Sequence, residues 1–233
     1  MLTLLSNASC EDKKKASELK KTITTMAVDT LSISPEAAKI KENSTEKKTY
    51  PKVSNENVID FLTTYGEDNP ETKVLITTQL GSIELELFED APLHRANFIY
   101  LVKQEYFNET FFYRVLPNFI IQGGNSDLRT TSKKRALIGN YILPAELQNG
   151  RTHKMGTLSG AKEYRKNPDK NSAPFEFFIF LGPQTATAHL NGNYTVFGNV
   201  SKGMDIVKKI ANLPTDEGDW PLENVYIEAK VLD

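Results

Sequence analysis

The sequence predicts a mainly β fold: a closed antiparallel eight-stranded β-barrel capped by two helices. Eight short segments rich in apolar, β-branched and aromatic residues are separated by turn residues. Two segments among them space their apolar residues as amphipathic helices do. A parallel α/β sheet would need a helix after nearly every strand, so this pattern favours the barrel.

The first 72 residues differ in composition from the rest. Residues 1–10 contain a short apolar run, then small residues, then Cys10, and resemble the end of a bacterial lipoprotein signal. Residues 11–55 are mostly Lys, Glu, Ser, Thr and Asn and predict a flexible leader, because few large apolar side chains offset the entropy of ordering. In residues 56–72, helical spacing of apolar residues predicts a short helix and a linker.

The resemblance at Cys10 implies a lipid anchor and a location at the bacterial cell envelope or in the periplasm. An ordinary cytoplasmic start with an incidental cysteine is the alternative. The sequence contains no apolar run of 18 residues, so no transmembrane span is predicted.

A single domain is predicted from residue 73 to residue 233. Segments 74–80 and 83–88 predict two strands joined by a tight turn, and Pro92 opens the first helix. The second helix is predicted to begin with Ser201 as its N-cap. The remaining predicted strands are 110–116, 119–122, 154–159, 175–181, 195–200 and 225–232.

Composition excludes several classes of function. The formal net charge is −2 and the lysines are interspersed with acids, so no nucleic-acid partner is predicted. One cysteine and three dispersed histidines (His94, His153 and His189) predict no metal site and no cofactor. No Gly-x-Ser-x-Gly elbow is present, which argues against a hydrolase, and His94 is expected on a helix surface. The inward residues are large enough to fill the barrel, so storage of a small ligand is disfavoured.

Four sequence motifs occur in the order known from one enzyme family. Residues 107–124 read FNETFFYRVLPNFIIQGG, 156–161 read GTLSGA, 175–179 read FEFFI and 190–198 read LNGNYTVFG. Together they resemble the cyclophilin-type peptidyl-prolyl cis–trans isomerases, over about residues 73–233. The resemblance implies the barrel fold and a proline-containing polypeptide as substrate. We also expect a monomer and, with a lipid on Cys10, assistance to the folding of exported proteins.

The resemblance also assigns the site residues. Rotation about an X–Pro bond has to overcome a barrier of about 18–20 kcal/mol and needs no nucleophile. A fixed guanidinium can stabilise the twisted amide while an apolar pocket holds the proline ring. The implied catalytic residues are Arg114, Phe119 and Gln122, and the implied substrate-binding residues are Ala161, Glu176, Phe178, His189, Leu190 and Tyr194. Phe177, adjacent to Phe178, should face the opposite side of its strand.

Several positions depart from the family pattern. Tyr113 replaces a histidine, Glu176 a glutamine, His189 a tryptophan and Tyr194 a histidine, and residues 162–172 form a polar insertion. These changes keep open a second interpretation, a proline-peptide-binding chaperone module with little or no turnover.

Overall fold

The computed structural model describes residues 50–162 and 166–232. Cys10 and most of the predicted leader lie outside the described residues. The elements in chain order are β1 (Val53–Ser54), α1 (Val58–Asp68), β2 (Lys73–Thr78), β3 (Gly81–Leu87), α2 (Pro92–Lys103), β4 (Thr110–Leu116), β5 (Ile120–Asn125), α3 (Arg129–Ile138), β6 (Gly139–Asn140), β7 (Thr157–Lys162), β8 (Ser172–Phe180), a 3-10 helix (Gln184–Thr187), β9 (Val196–Lys202), α4 (Met204–Ala211) and β10 (Val225–Leu232).

Eight of these strands close into a barrel in the order β10-β2-β3-β9-β7-β8-β5-β4, and every neighbouring pair is antiparallel. The predicted fold class is therefore confirmed. The β2–β3 turn needs a glycine at Gly81, which has φ +136° and where a Cβ would lie 2.5 Å from Cδ1 of Ile206. That close approach seats α4 against the turn.

Aromatic side chains fill the barrel interior. Phe98 of α2 enters the barrel and contacts Phe107, Phe177 and Phe197 with ring centroids 4.9, 5.4 and 5.6 Å away. All four residues are at most 3% exposed. Burial of each such ring stabilises the fold by about 1.5–3 kcal/mol. The interior is therefore a packed core.

The helix α2 begins at Pro92, as predicted, but receives its cap from a distant residue. The carboxylate of Glu146 accepts the backbone N–H groups of Leu93 and His94, both at 2.9 Å. A negative charge at this end also complements the helix dipole. The loop before β7 is thereby tied to the helix that closes the barrel.

The prediction of His94 on a helix surface is wrong. Its ring is 2% exposed, with Nδ1 2.6 Å from Oε2 of Glu146 and Nε2 2.9 Å from Oγ of Ser172. Hydrolases contain Ser–His–Glu hydrogen-bond networks of this kind, but here Ser172 is itself only 2% exposed, so its hydroxyl is not accessible to a substrate. These hydrogen bonds join α2, the loop that contains Glu146, and β8.

The described residues contain four α-helices. The sequence predicted three: two in the barrel domain and one within residues 56–72. The additional helix, α3, is polar and is held by side chains: Lys134 Nζ donates to the carbonyl oxygens of Glu105 and Asn108, at 3.0 and 2.9 Å. The predicted cap at Ser201 is also wrong, because β9 continues to Lys202 and Gly203, with φ 87°, precedes α4.

The helix predicted within residues 56–72 is confirmed as α1. The folded region starts earlier than the predicted leader boundary at residue 55, since Val53 is 1% exposed and pairs in parallel with Gly139 of β6. Among the described helices, none has the length and apolar character needed to cross a membrane.

Candidate active site

Four polar and apolar side chains form a row across neighbouring barrel strands. Arg114 of β4 is the register partner of Gln122 on β5, Gln122 of Phe178 on β8, and Phe178 of Ser159 on β7. Directly paired residues project from the same face of a sheet, and adjacent strands lie about 5 Å apart. Strand pairing therefore places Arg114, predicted to be catalytic, on the same face of the sheet as Phe178, predicted to bind the proline ring.

A cavity of about 240 Å³ lies over this row. Eight of the residues predicted from the sequence line it: Arg114, Phe119, Gln122, Ala161, Phe178, His189, Leu190 and Tyr194. Two further lining residues, Ile120 and Lys162, were not predicted, although each directly follows a predicted site residue in the chain. The sequence motifs thus converge on one concave surface.

The floor of the cavity is a small apolar cluster separate from the barrel core. Ile120, Phe178 and Leu190 are 4–5% exposed and pack with the fully buried Phe180. Phe177 is 1% exposed and belongs to the core inside the barrel, so the predicted division between Phe177 and Phe178 is confirmed. The floor suits a compact apolar ring.

A buried histidine supports this floor. The ring of His153 stacks on Phe178 with centroids 5.8 Å apart and planes 2° from parallel. Its Nδ1 lies 2.9 Å from Oδ1 of Asn191 and its Nε2 3.0 Å from Oγ of Ser159. Burial lowers the pKa of His153 below its ordinary value. The neutral ring satisfies both neighbours, because Nδ1–H donates to Asn191 and Nε2 accepts from Ser159.

The turn after the 3-10 helix supplies one wall of the cavity. Tyr194 meets Phe178 edge-on at 5.6 Å, and Nζ of Lys162 lies 5.4 Å from the centre of the Tyr194 ring. The exposed His189 ring lies 5.9 Å from Phe119. Aromatic rings therefore border the cavity on two sides, and a cation stands near one of them.

Arg114 supplies the positive charge of the site. Its side chain is 35% exposed, and its Nε donates a long hydrogen bond of 3.4 Å to Oδ2 of Asp219. The other two guanidinium nitrogens also carry hydrogen-bond donors, and Arg114 lines the cavity. Asp219 was not predicted as a site residue, because it lies in a loop without a recognisable pattern.

Glu176, predicted to bind substrate, does not line the cavity. Its Oε2 accepts the hydroxyl hydrogen of Tyr113 at 2.8 Å, and Tyr113 in turn accepts a hydrogen bond from Nε2 of Gln122. Burial and the adjacent Glu176 raise the pKa of Tyr113, so its hydroxyl keeps the proton. Glu176 therefore reaches the cavity through Tyr113 and Gln122.

This arrangement suits rotation about an amide bond better than bond cleavage. A guanidinium and a primary amide adjoin an apolar floor, and no cluster of His, Cys, Asp and Glu among the described residues could hold a metal ion. Such a site can hold a ring, hydrogen-bond a carbonyl and stabilise an amide nitrogen whose lone pair has become localised.

Comparison with known proteins identifies the family. Residues 73–231 match the family model described as cyclophilin type peptidyl-prolyl cis-trans isomerase. A peptidyl-prolyl cis-trans isomerase from Acinetobacter baylyi is 42% identical over 147 residues, which cover 62% of this chain and 74% of the relative. A peptidyl-prolyl cis-trans isomerase-like 1 from Gibberella zeae is 34% identical over 165 residues, covering 70% of this chain and 96% of the relative.

A solved structure agrees with this assignment. The crystal structure of a cyclophilin type peptidyl-prolyl cis-trans isomerase from Cryptosporidium parvum, in the presence of the dipeptide Ala-Pro, matches with a TM-score of 0.57. The match has 27% sequence identity and covers 69% of this chain and 99% of that one. The family match, the closed barrel and the converging site residues lead to one conclusion: the chain belongs to the cyclophilin-type peptidyl-prolyl cis–trans isomerases, enzymes that accelerate rotation about X–Pro bonds.

Proposed function

We propose that Arg114 is the catalytic residue of this isomerase and that Phe119, Phe178 and Leu190 hold the proline ring of the substrate. The observation that carries the proposal is their common cavity, in which the guanidinium of Arg114 adjoins an apolar floor. Ala161, with its small side chain, leaves the entrance open for an extended peptide. His189 and Tyr194 contact the chain beside the proline.

The required stabilisation is modest in chemical terms. A rate gain of about 10⁵ corresponds to about 7 kcal/mol of stabilisation of the transition state relative to the ground state. As the amide twists, its nitrogen lone pair loses conjugation and becomes a hydrogen-bond acceptor. Arg114 donates to this nitrogen or to the neighbouring carbonyl, and the charge-assisted bond strengthens as the twist proceeds. Gln122 orients the peptide beside it.

The test is an NMR exchange assay on an Ala-Pro peptide with the Arg114→Ala variant. Loss of a donor to the transition state typically costs about 10²-fold or more in rate, and we expect a loss of that size. Arg129 is an exposed arginine on α3, and Arg129→Ala is the matched control with unchanged turnover. Wild-type turnover in Arg114→Ala would refute the assignment.

We also propose that the enzyme is tethered to a bacterial membrane by a lipid on Cys10 and acts as a monomer on exported polypeptides whose X–Pro bonds limit folding. The support is the residue order before Cys10 and the polar composition of residues 11–49. Mass spectrometry of the membrane fraction should find a diacylglyceryl group on Cys10, absent in Cys10→Ser. A soluble protein that keeps Met1 would refute the anchor and leave the assignment of Arg114 intact.

A further inference from the structure

The side-chain amide of Gln122 can present either a carbonyl oxygen or an NH₂ group to a bound peptide. The structure contains a feature that decides between them. Its Nε2 donates to the hydroxyl oxygen of Tyr113, whose own hydrogen is donated to Oε2 of Glu176 at 2.8 Å. Gln122 itself lines the cavity, so its orientation bears directly on what the groove recognises.

The direction of this chain of hydrogen bonds is set at its acidic end. An ionised carboxylate can only accept, and a tyrosine hydroxyl has a single hydrogen to donate. With that hydrogen committed to Glu176, Tyr113 can offer Gln122 only an acceptor. Gln122 must therefore turn its NH₂ towards Tyr113, which leaves its carbonyl oxygen for the cavity. A glutamine in place of Glu176 could donate as well as accept, and would not impose this direction.

Neighbouring groups hold Glu176 in place. Its Oε1 accepts from Nδ2 of Asn125 at 3.2 Å and lies 3.5 Å from Nη2 of Arg135. Arg135 is itself fixed, because its Nε donates to the hydroxyl of Tyr106 at 2.7 Å. The Glu176 side chain is 21% exposed, so its ion pair with Arg135 is partly shielded from water.

A bulge in β4 brings Tyr113 to Gln122. Phe112 pairs with Gly123 and Arg114 with Gln122, so Tyr113 is an additional residue on its strand. Bulges of this kind re-aim side chains next to active sites. Despite its neighbouring position to Arg114 in the strand, Tyr113 therefore reaches the side-chain amide of Gln122, which lines the same cavity as Arg114.

We propose that Tyr113 and Glu176 are positioning residues that fix the carbonyl oxygen of Gln122 towards the peptide groove. The enzyme then favours substrates that offer a backbone N–H close to the proline, and discriminates against chains that lack it. This inference rests on the proposed role of the Arg114 cavity and deepens it by naming the hydrogen-bonding group that the groove selects.

The test uses a set of proline tetrapeptides, each with one backbone amide N-methylated, in the NMR exchange assay. In the wild type we expect one N-methylation to raise KM by about fivefold, the loss of one hydrogen bond. That discrimination should vanish in Gln122→Ala and shrink in Glu176→Gln and Tyr113→Phe. The ¹⁵N–¹H₂ resonances of Gln122 should also shift in Tyr113→Phe, which a purely structural role for Tyr113 elsewhere would not require.

Matched controls use exposed residues of β10. Tyr226→Phe and Glu228→Gln make the same chemical changes away from the cavity and should keep the wild-type discrimination. If Arg114→Ala abolishes turnover but Glu176→Gln discriminates among the peptides as the wild type does, the positioning role is refuted and the catalytic assignment stands. If Arg114→Ala is fully active, the proposed function itself fails.

Discussion

At the scale of single residues, the buried imidazole of His153 makes stability depend on pH. Burial lowers its pKa in the folded protein, so in acid the unfolded chain, with an ordinary pKa of about 6.5, binds more protons than the folded one. The contribution of His153 is therefore complete above about pH 6.5 and is lost as the pH falls through the folded-state pKa.

We expect the free energy of unfolding to be smaller at pH 5 than at pH 8, and we expect part of this decrease to come from His153. Urea titrations of the wild type and His153→Gln at both pH values measure this contribution, and the decrease should be smaller in His153→Gln. An equal decrease in His153→Gln would contradict the prediction.

The small side chain of Ala161 is a second residue-scale feature. It is 3% exposed and lines the cavity of about 240 Å³. Leucine at this position would obstruct the entrance for the extended peptide, so Ala161→Leu should lower kcat/KM by about 10²-fold or more while costing about 1–3 kcal/mol of stability. Ala136→Leu, on the exposed side of α3, is the control. Normal turnover by Ala161→Leu would mean that the substrate binds elsewhere.

The side of a strand that a residue faces was predictable where the strand has regular alternation. Phe178 and Phe177 lie on opposite sides of β8 as their adjacency requires. The role of Tyr113 could not be predicted in this way, because a bulge changes which side a residue faces and leaves no pattern in a single sequence. Glu176 was assigned to the substrate because the resemblance places a substrate-facing glutamine at its position, and a single sequence does not show its bond to Tyr113.

At the scale of elements, the loop between α4 and β10 supports Arg114. Asp216 folds the loop on itself, since its Oδ1 accepts the N–H groups of Gly218 and Trp220 at 2.8 and 2.9 Å. Asp219, with φ 64°, accepts the N–H of Val115 through its backbone carbonyl at 2.9 Å. The loop is thus attached to β4 directly beside Arg114 and holds its carboxylate against the guanidinium.

This attachment predicts a measurable effect of Asp219→Asn. The two side chains are 35% and 40% exposed, and ion pairs of that exposure contribute about 0.2–1 kcal/mol. We therefore expect kcat/KM to fall by at most about fivefold at low salt, because Arg114 samples more orientations. High salt screens the ion pair, so it should lower kcat/KM of the wild type towards the value of the variant. A variant that is as active as the wild type at low salt would refute the role of Asp219.

The boundaries of helices and strands were predictable where the local preferences of residues determine them. They were less predictable where contacts with residues distant in the sequence determine them. Pro92 begins α2 as predicted because its missing N–H costs nothing there. The helix α3 has few apolar residues and depends on Lys134 and Arg135 reaching carbonyl groups far along the chain. Ser201 has the residue type of a cap, but its hydroxyl bonds to Glu84 across the β3–β9 pair.

At the scale of the whole molecule, residues 50–72 extend the family domain, which begins at residue 73. The helix α1 lies close against α2: a Cβ on Gly66 would lie 3.0 Å from Cβ of Ala96. Arg95 donates to the carbonyl oxygens of Gly66 and Asn69, both at 3.0 Å, and so satisfies the C-terminal end of α1. The apolar spacing in this region predicted the helix, but not that α2 supplies charged donors to its end.

A cooperative unit should therefore include α1, and Leu62 is the residue that tests this. Leu62 is 0% exposed, and truncation of a buried leucine typically costs about 2–5 kcal/mol. Ile59 lies on the same helix at 53% exposure, so Ile59→Ala should stay within about 0.5 kcal/mol of the wild type. Thermal and urea unfolding of both variants should show a single transition, lowered in Leu62→Ala alone. Turnover at temperatures where Leu62→Ala is folded should be unchanged, because α1 contributes no residue to the Arg114 cavity. If Leu62→Ala were no less stable than Ile59→Ala, α1 would be an appendage that unfolds independently of the barrel.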